Sequence, residues 1–156
     1  MSLFVGENNY INETIKQTDI ESNIHGNEKC IIEYNFGGCD IENEYNNMIN
    51  SWLGLYNDNN IDKFTLVFKT GDGGFNIPVA YAYKLSKFIK KIKKLRKENY
   101  KKFNKLEQSV VLITSGNIRI LINILFTLVT PLADIYITST IEQMNTIVHN
   151  IENEQL

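Results

Sequence analysis

At 156 residues, with 43% hydrophobic and 22% charged content, the chain has the size and balance of one globular domain spanning 1–156. That length can bury about two thirds of the unfolded surface, so no disulfide or metal staple is needed. The two cysteines, Cys30 and Cys39, are nine positions apart and, with only the two histidines His25 and His149, give neither a disulfide framework nor the close-paired spacing of a metal site. The net charge of −2 hides an asymmetry: residues 84–105 carry eleven Lys and Arg against one acid, Glu98, and the rest of the chain is correspondingly acidic.

Taken in order, residues 9–15 alternate weakly, with Ile11 and Ile15 on one side, and read as a short strand. Residues 18–24 read as a second, and 23–27, with His25 and Gly26, as a polar turn. Residues 29–36 form a firmer strand with Cys30, Ile32, Tyr34 and Phe36 on one face, completing a small antiparallel layer. Gly37 and Gly38 break it, Cys39 reads as a small buried residue, and Asp40 is placed to cap a helix whose first turn holds Glu42 and Glu44. Tyr45, Met48, Ile49, Trp52, Leu53 and Tyr56 then recur at steps of three and four, as the inner face of an amphipathic helix does.

Residues 64–68 are an apolar run bounded by turns, typical of a strand covered on both faces. A glycine-rich loop over 69–78 follows, and a helix opens near Pro78 or Val79. Ala82, Leu85, Phe88, Ile89 and Ile92 are its buried side, while Lys87, Lys90, Lys91, Lys94 and Lys97 fall opposite. Residues 100–105 read as a charged extension or loop, 109–114 as a second fully buried strand, and 118–128 as a helix with Leu121, Ile122, Leu125 and Phe126 inward. A last strand covers 133–137, with Asp134 at its entrance. A final helix is expected to be capped by Ser139 with Glu142 three residues on, its apolar face being Met144, Ile147, Val148 and Ile151. Arg119, Asn123, Pro131 and Asp134 interrupt the Ile- and Leu-rich region 118–137, which reads as a buried helix and strand, with no transmembrane segment. The first residues lack the pattern of a signal peptide, and an intracellular, cytoplasmic protein is expected.

From residue 29 onward the order is β-α-β-α-β-α-β-α, which predicts an α/β domain with a mostly parallel central sheet and right-handed crossovers. The loop Thr70, Gly71, Asp72, Gly73, Gly74, Phe75, Asn76 leaves a central strand for a helix N-terminus, the place where open α/β sheets hold ligands. It matches neither phosphate-binding glycine pattern, and Asp72 repels a phosphate. The lysine face reads as a solvated helix side, as a docking surface for an acidic partner, or as a site for anionic lipid or nucleic acid. The acidic C-terminal segment is a candidate to neutralise it. Catalytic templates are missing, no cofactor or metal is expected, and the chain reads as a non-enzyme.

Tyr10, Ile11, Asn12, Glu13 and Thr14, then Thr18 and Ile20, the strand ending near Gly37, and Trp52, Leu53 and Tyr56 before the 64–68 strand together resemble the SiaC family of regulatory phosphoproteins. That family has a STAS-like fold, the fold of anti-sigma-factor antagonists, and the order of elements in the later half is also similar to a STAS domain. In the family the loop after this strand carries a phosphorylated hydroxyl. Here Phe75 and Asn76 match, but Ile77, Pro78 and Val79 follow, and the nearest hydroxyls, Thr70 and Ser86, are out of register. The resemblance implies a non-enzymatic regulatory module that binds a protein partner through loop 70–79 and the basic helix, without the usual phosphosite. The alternatives are a small-ligand or nucleotide-binding protein using the glycine loop, and a basic-face binder of lipid or nucleic acid.

Overall fold

The computed structural model describes the backbone of residues 11–15 and, in full, residues 30–37, 40–70 and 77–153. Five strands form one sheet in the order of the chain: β1 (Ile11–Ile15), β2 (Cys30–Phe36), β3 (Phe64–Thr70), β4 (Leu106–Leu112) and β5 (Asp134–Thr138). β1 runs antiparallel to β2, and β2 through β5 are parallel. The helices are α1 (Ile41–Asn57), α2 (Ala80–Glu98), the short α3 (Tyr100–Phe103), α4 (Gly116–Leu128) and α5 (Ile141–Glu152). The expected α/β alternation and mostly parallel sheet are both present. The strand expected at 18–24, the turn around His25, and Cys39 lie outside the described residues.

When consecutive parallel strands are neighbours and every crossover has the same hand, all connecting helices fall on one face of the sheet. The packing follows this rule. Ile32, Tyr34, Phe64 and Leu66 meet Met48, Trp52 and Tyr56 of α1, Phe88, Ile89 and Ile92 of α2, and Leu125 of α4 in one core. Aromatic rings tie it together: Trp52 lies edge-on to Phe88 at 5.0 Å, and Tyr56 to Phe64 at 5.4 Å. α5 leads into no further described strand, so no crossover sets its side, and it takes the opposite face, where Met144 and Ile151 close on Ile31, Val67, Val110 and Leu112. Around that cluster the second face is polar: Lys69 pairs with Glu33 at 3.0 Å, and Gln108 donates to the Thr65 hydroxyl.

One irregularity shapes the first face. β3 and β4 pair Phe64 with Leu106 but Thr65 with Gln108, so Glu107 is the extra residue of a bulge. Without it, Leu106 and Gln108, two apart, would share a face. The bulge turns Leu106 to the side of Ser109 and Val111, beneath the helices.

Several local expectations shift. Residues 100–103 are a helical turn rather than a loop, because the Asn99 side chain accepts from the Lys102 N–H at 3.3 Å and starts a new cap. β4 begins three residues before the expected 109 because its start pairs with Phe64. α5 is capped by Thr140, not Ser139: the Thr140 hydroxyl accepts from the Gln143 N–H at 3.1 Å, and the Gln143 side chain reaches back to the Ser139 N–H at 2.8 Å. Gln143 thus fills the role expected of Glu142. At α1, the Asp40 carboxylate accepts from the Asn43 N–H at 3.2 Å, as expected. Among the described residues no helix is long and apolar enough to cross a membrane.

Candidate functional site

At the carboxyl edge of the sheet, β3 ends on Thr70, whose hydroxyl lies 2.9 Å from that of Thr114 after β4. Gly71, Asp72, Gly73, Gly74, Phe75 and Asn76 lie outside the described residues. The chain is described again from Ile77, and α2 opens at Ala80, two residues after Pro78. Val79 precedes it without a side-chain cap, so the first turn closes tightly: Tyr81 N–H donates to the Pro78 carbonyl at 3.0 Å and Ala82 N–H to that of Val79 at 2.9 Å. Of the two hydroxyls nearest a phosphosite, Thr70 is half-buried, whereas Ser86 is buried and donates to the Tyr83 carbonyl at 2.8 Å.

Tyr45 of α1 and Tyr81 of α2 meet edge-on at 5.3 Å beside this edge. Burial, and then the neighbouring Tyr81, push the Tyr45 hydroxyl up to about 12. Burial raises Tyr81 as well, with Glu42 and then Asp40 adding to it.

The basic helix divides by use. Lys87, Lys90, Lys91, Lys94 and Lys97 are all exposed, as their spacing predicts, and none forms an ion pair among the described residues. Exposed Tyr83 and Tyr100, at 50% and 66%, stand at either end of the stripe. Three further cations of the same segment hold the fold together. Lys93 donates to the Thr130 hydroxyl and Arg96 to the Leu132 carbonyl at 3.1 Å, just past the end of α4. Buried Lys105 donates to the Tyr56 and Asp58 carbonyls, both at 3.1 Å, at the end of α1. Cations at these places answer the unpaired carbonyls and negative dipole of a helix C-terminus. Burial, and then Arg96 beside it, depress the Lys93 ammonium. Of the acidic C-terminal segment expected to neutralise the lysine face, α5 packs on the opposite side of the sheet, and residues 154–156 lie outside the described residues.

Sequence reasoning missed the interior. Under the three helices lies a half-open pocket of about 160 Å³ whose walls are almost wholly apolar. Its floor is Phe68, Val111 and Ile135 of the sheet, with Leu106 brought in by the bulge. One wall is Tyr81, Ala82, Leu85 and Ile89 of α2; the other is Ile118, Leu121, Ile122 and Phe126 of α4. It touches Thr70 and Ile77 at the carboxyl edge of the sheet and Pro131 and Leu132 at the amino edge. Native interiors leave few voids larger than a water molecule. The one sequence signal was the makeup of α4, apolar on more sides than a single packed stripe needs, with Ile120 left 54% exposed.

Among the described residues no three His, Cys, Asp or Glu side chains converge on a metal-sized site. No protein-family model, curated protein or solved structure matches the chain.

Proposed function

We propose that the chain is a non-enzymatic, STAS-like binding module that docks an acidic protein surface through loop 70–79 and the exposed side of α2. One observation carries the reading: five lysines on one helix side stand in solvent, unpaired among the described residues, with the acidic helix α5 on the far face. Such a stripe speeds encounter with a negative partner and is available for contact. The resemblance to the SiaC family supplies the regulatory part of the reading, and Asp72 provides a fixed charge where that family has a phosphorylated hydroxyl. The exposed Tyr83 and Tyr100 favour a second reading, in which the same stripe binds single-stranded RNA by stacking and charge.

The test is a pull-down from native lysate beside two variants, the Asp72→Ala/Asn76→Ala double and the Lys90→Glu/Lys91→Glu/Lys94→Glu triple. A partner protein lost in both variants is the expected result, with the triple variant's stability unchanged to within about 0.5 kcal/mol. A partner indifferent to both sinks the proposal. Retention of RNA that falls steeply with salt moves the assignment to the second reading.

A further inference from the structure

The sheet ends at β5, whose outer edge has no partner strand among the described residues. Which groups stand free there follows from one bond. Ile113 N–H donates to the Thr138 carbonyl at 2.8 Å, so Thr138 turns its backbone polar groups towards β4. Backbone direction alternates along an extended strand. Tyr136 and Asp134 therefore also face β4, while Ile135 and Ile137 point their N–H and C=O groups outward. Folds blunt such an edge with a lysine, a proline or a bulge. β5 has none of these: it runs Asp134, Ile135, Tyr136, Ile137, Thr138 and pairs with β4 without a register shift. Apolar surface gathers beside it. The exposed isoleucines among the described residues are Ile137 of β5, at 44%, and Ile120 and Ile141, on the two helices that pack against this strand, α4 and α5.

The strand is also complementary to itself. Laid antiparallel about a two-fold axis at Tyr136, Ile135 falls opposite Ile137 of a second copy, and Ile137 opposite Ile135. Every outward N–H and C=O of these residues is then paired, in the exchange that an antiparallel ladder makes. A register shifted by two residues either way sets one of them against a residue outside the strand. Apolar pairs form across the junction on the α4 side, and Tyr136 meets its own copy on the α5 side. Asp134, the one charge of β5, falls opposite Thr138, just before the N-terminus of α5, the end of a helix that favours an acid. No like charges are set against each other. A stable interface buries about 1,600 Å² in all, more than this strand supplies, so α4 and α5 of both copies contribute the rest.

From this edge we infer that the protein pairs with a second copy of itself through β5, joining the two sheets into one. The lysine stripe of α2 takes no part, so the inference stands whether or not that stripe binds a partner.

The full chain is followed by sedimentation velocity and light scattering over a concentration series reaching about 200 μM, with hydrogen exchange read at β5. A mass rising to twice that of the chain is expected, with slowed exchange at the Ile135 and Ile137 amides as the dimer forms. Ile137→Lys places a charge on the edge, and Ile137→Pro removes an outward N–H that β4 does not use. Both should stay monomeric and still melt cooperatively. In a Cys30→Ser/Cys39→Ser background, Tyr136→Cys should oxidise to a covalent dimer, its β-carbon lying about 5 Å from that of its copy. Asp134→Cys should not, since its two copies stand about 14 Å apart in this register. A parent that stays monomeric throughout the series overturns the inference, whether the two amides exchange freely or are protected by the chain's own residues. A dimer that survives both Ile137 variants overturns it as well. Cross-linking as fast through Asp134→Cys as through Tyr136→Cys overturns the register.

Discussion

Among the described residues a single helix covers one side of the sheet. Met144 and Ile151 of α5 seat against Ile31, Val67, Val110 and Leu112, and a rim of polar pairs surrounds them. On the other side three described helices share the cover, and a half-open pocket remains between the second and third. The difference follows from connectivity. α1, α2 and α4 are each tethered to two strands and take positions set by the crossovers, whereas α5 leads into no further described strand and its side is not set by a crossover. A helix constrained at both ends leaves the gap that its side chains do not fill, and here that gap is apolar.

The comparison can be broken most sharply by matched truncations. Met144→Ala on the closed face should destabilise by about 2–5 kcal/mol. Leu121→Ala on the pocket wall should cost about half as much, because atoms bordering open space have fewer contacts to lose. Equal losses in urea denaturation would mean that the pocket wall is as well packed as the α5 face.

Next in size is Lys105→Met, which removes both charged hydrogen bonds to the end of α1 and should cost about 1.5–3 kcal/mol, with the denaturant slope unchanged. A neutral result would show that water replaces the ammonium there.

The helix-covered face should also weaken in alkali. Burial holds the Tyr56 hydroxyl up at about 12, against 10.0 for the free side chain, although its bond from the Trp52 indole N–H and the nearby Arg96 pull it down. Between those values the unfolded chain has lost the proton and the folded chain keeps it, so stability is complete below pH 10 and falls as pH rises towards 12. The fall should approach about 2 kcal/mol in alkaline melts. It should shrink in Tyr56→Phe, which starts from a lower stability because the Trp52 N–H loses its acceptor.

The smallest effect is at the caps. Thr140→Ala on α5 should cost about 1 kcal/mol and lower the melting temperature by about 2–4 °C. Ser115→Ala on α4 should cost less, since its bond to the Ile118 N–H is a long 3.4 Å. A larger loss for Ser115 would place α4 nearer to unfolding than its share of the core suggests.

Much of the fold was legible because it rests on local patterns. The runs around Val67 and Val110 are apolar on both faces, so they could only be inner strands, and the stripe from Met48 to Tyr56 had the period of a helix. The exposure of Lys87, Lys90, Lys91, Lys94 and Lys97 followed from the same period. Periodicity says that a helix has an apolar side but not which face of a sheet receives it, so the position of α5, on the face away from the lysines, could not be read. Nor could the structural use of Lys93, Arg96 and Lys105, which depends on where two other helices end. The pocket is the least legible of all. It is a difference between volumes contributed by α2, α4 and β4, and it owes Leu106 to a one-residue bulge at Glu107 that leaves no mark in composition.

The order of the strands has a consequence for synthesis. Each strand pairs with the one made just before it, so a chain emerging from the ribosome can add β3, β4 and β5 in turn to an edge already in place. α5, the last described helix, comes only after the sheet it covers. Until residues 141–152 have been made, Ile31, Val67, Val110 and Leu112 form an uncovered apolar stripe on a nearly finished sheet. A nascent chain halted there would have its helical side folded and its other side adhesive, which makes the stretch before α5 is made the point at which this sheet is most open to aggregation.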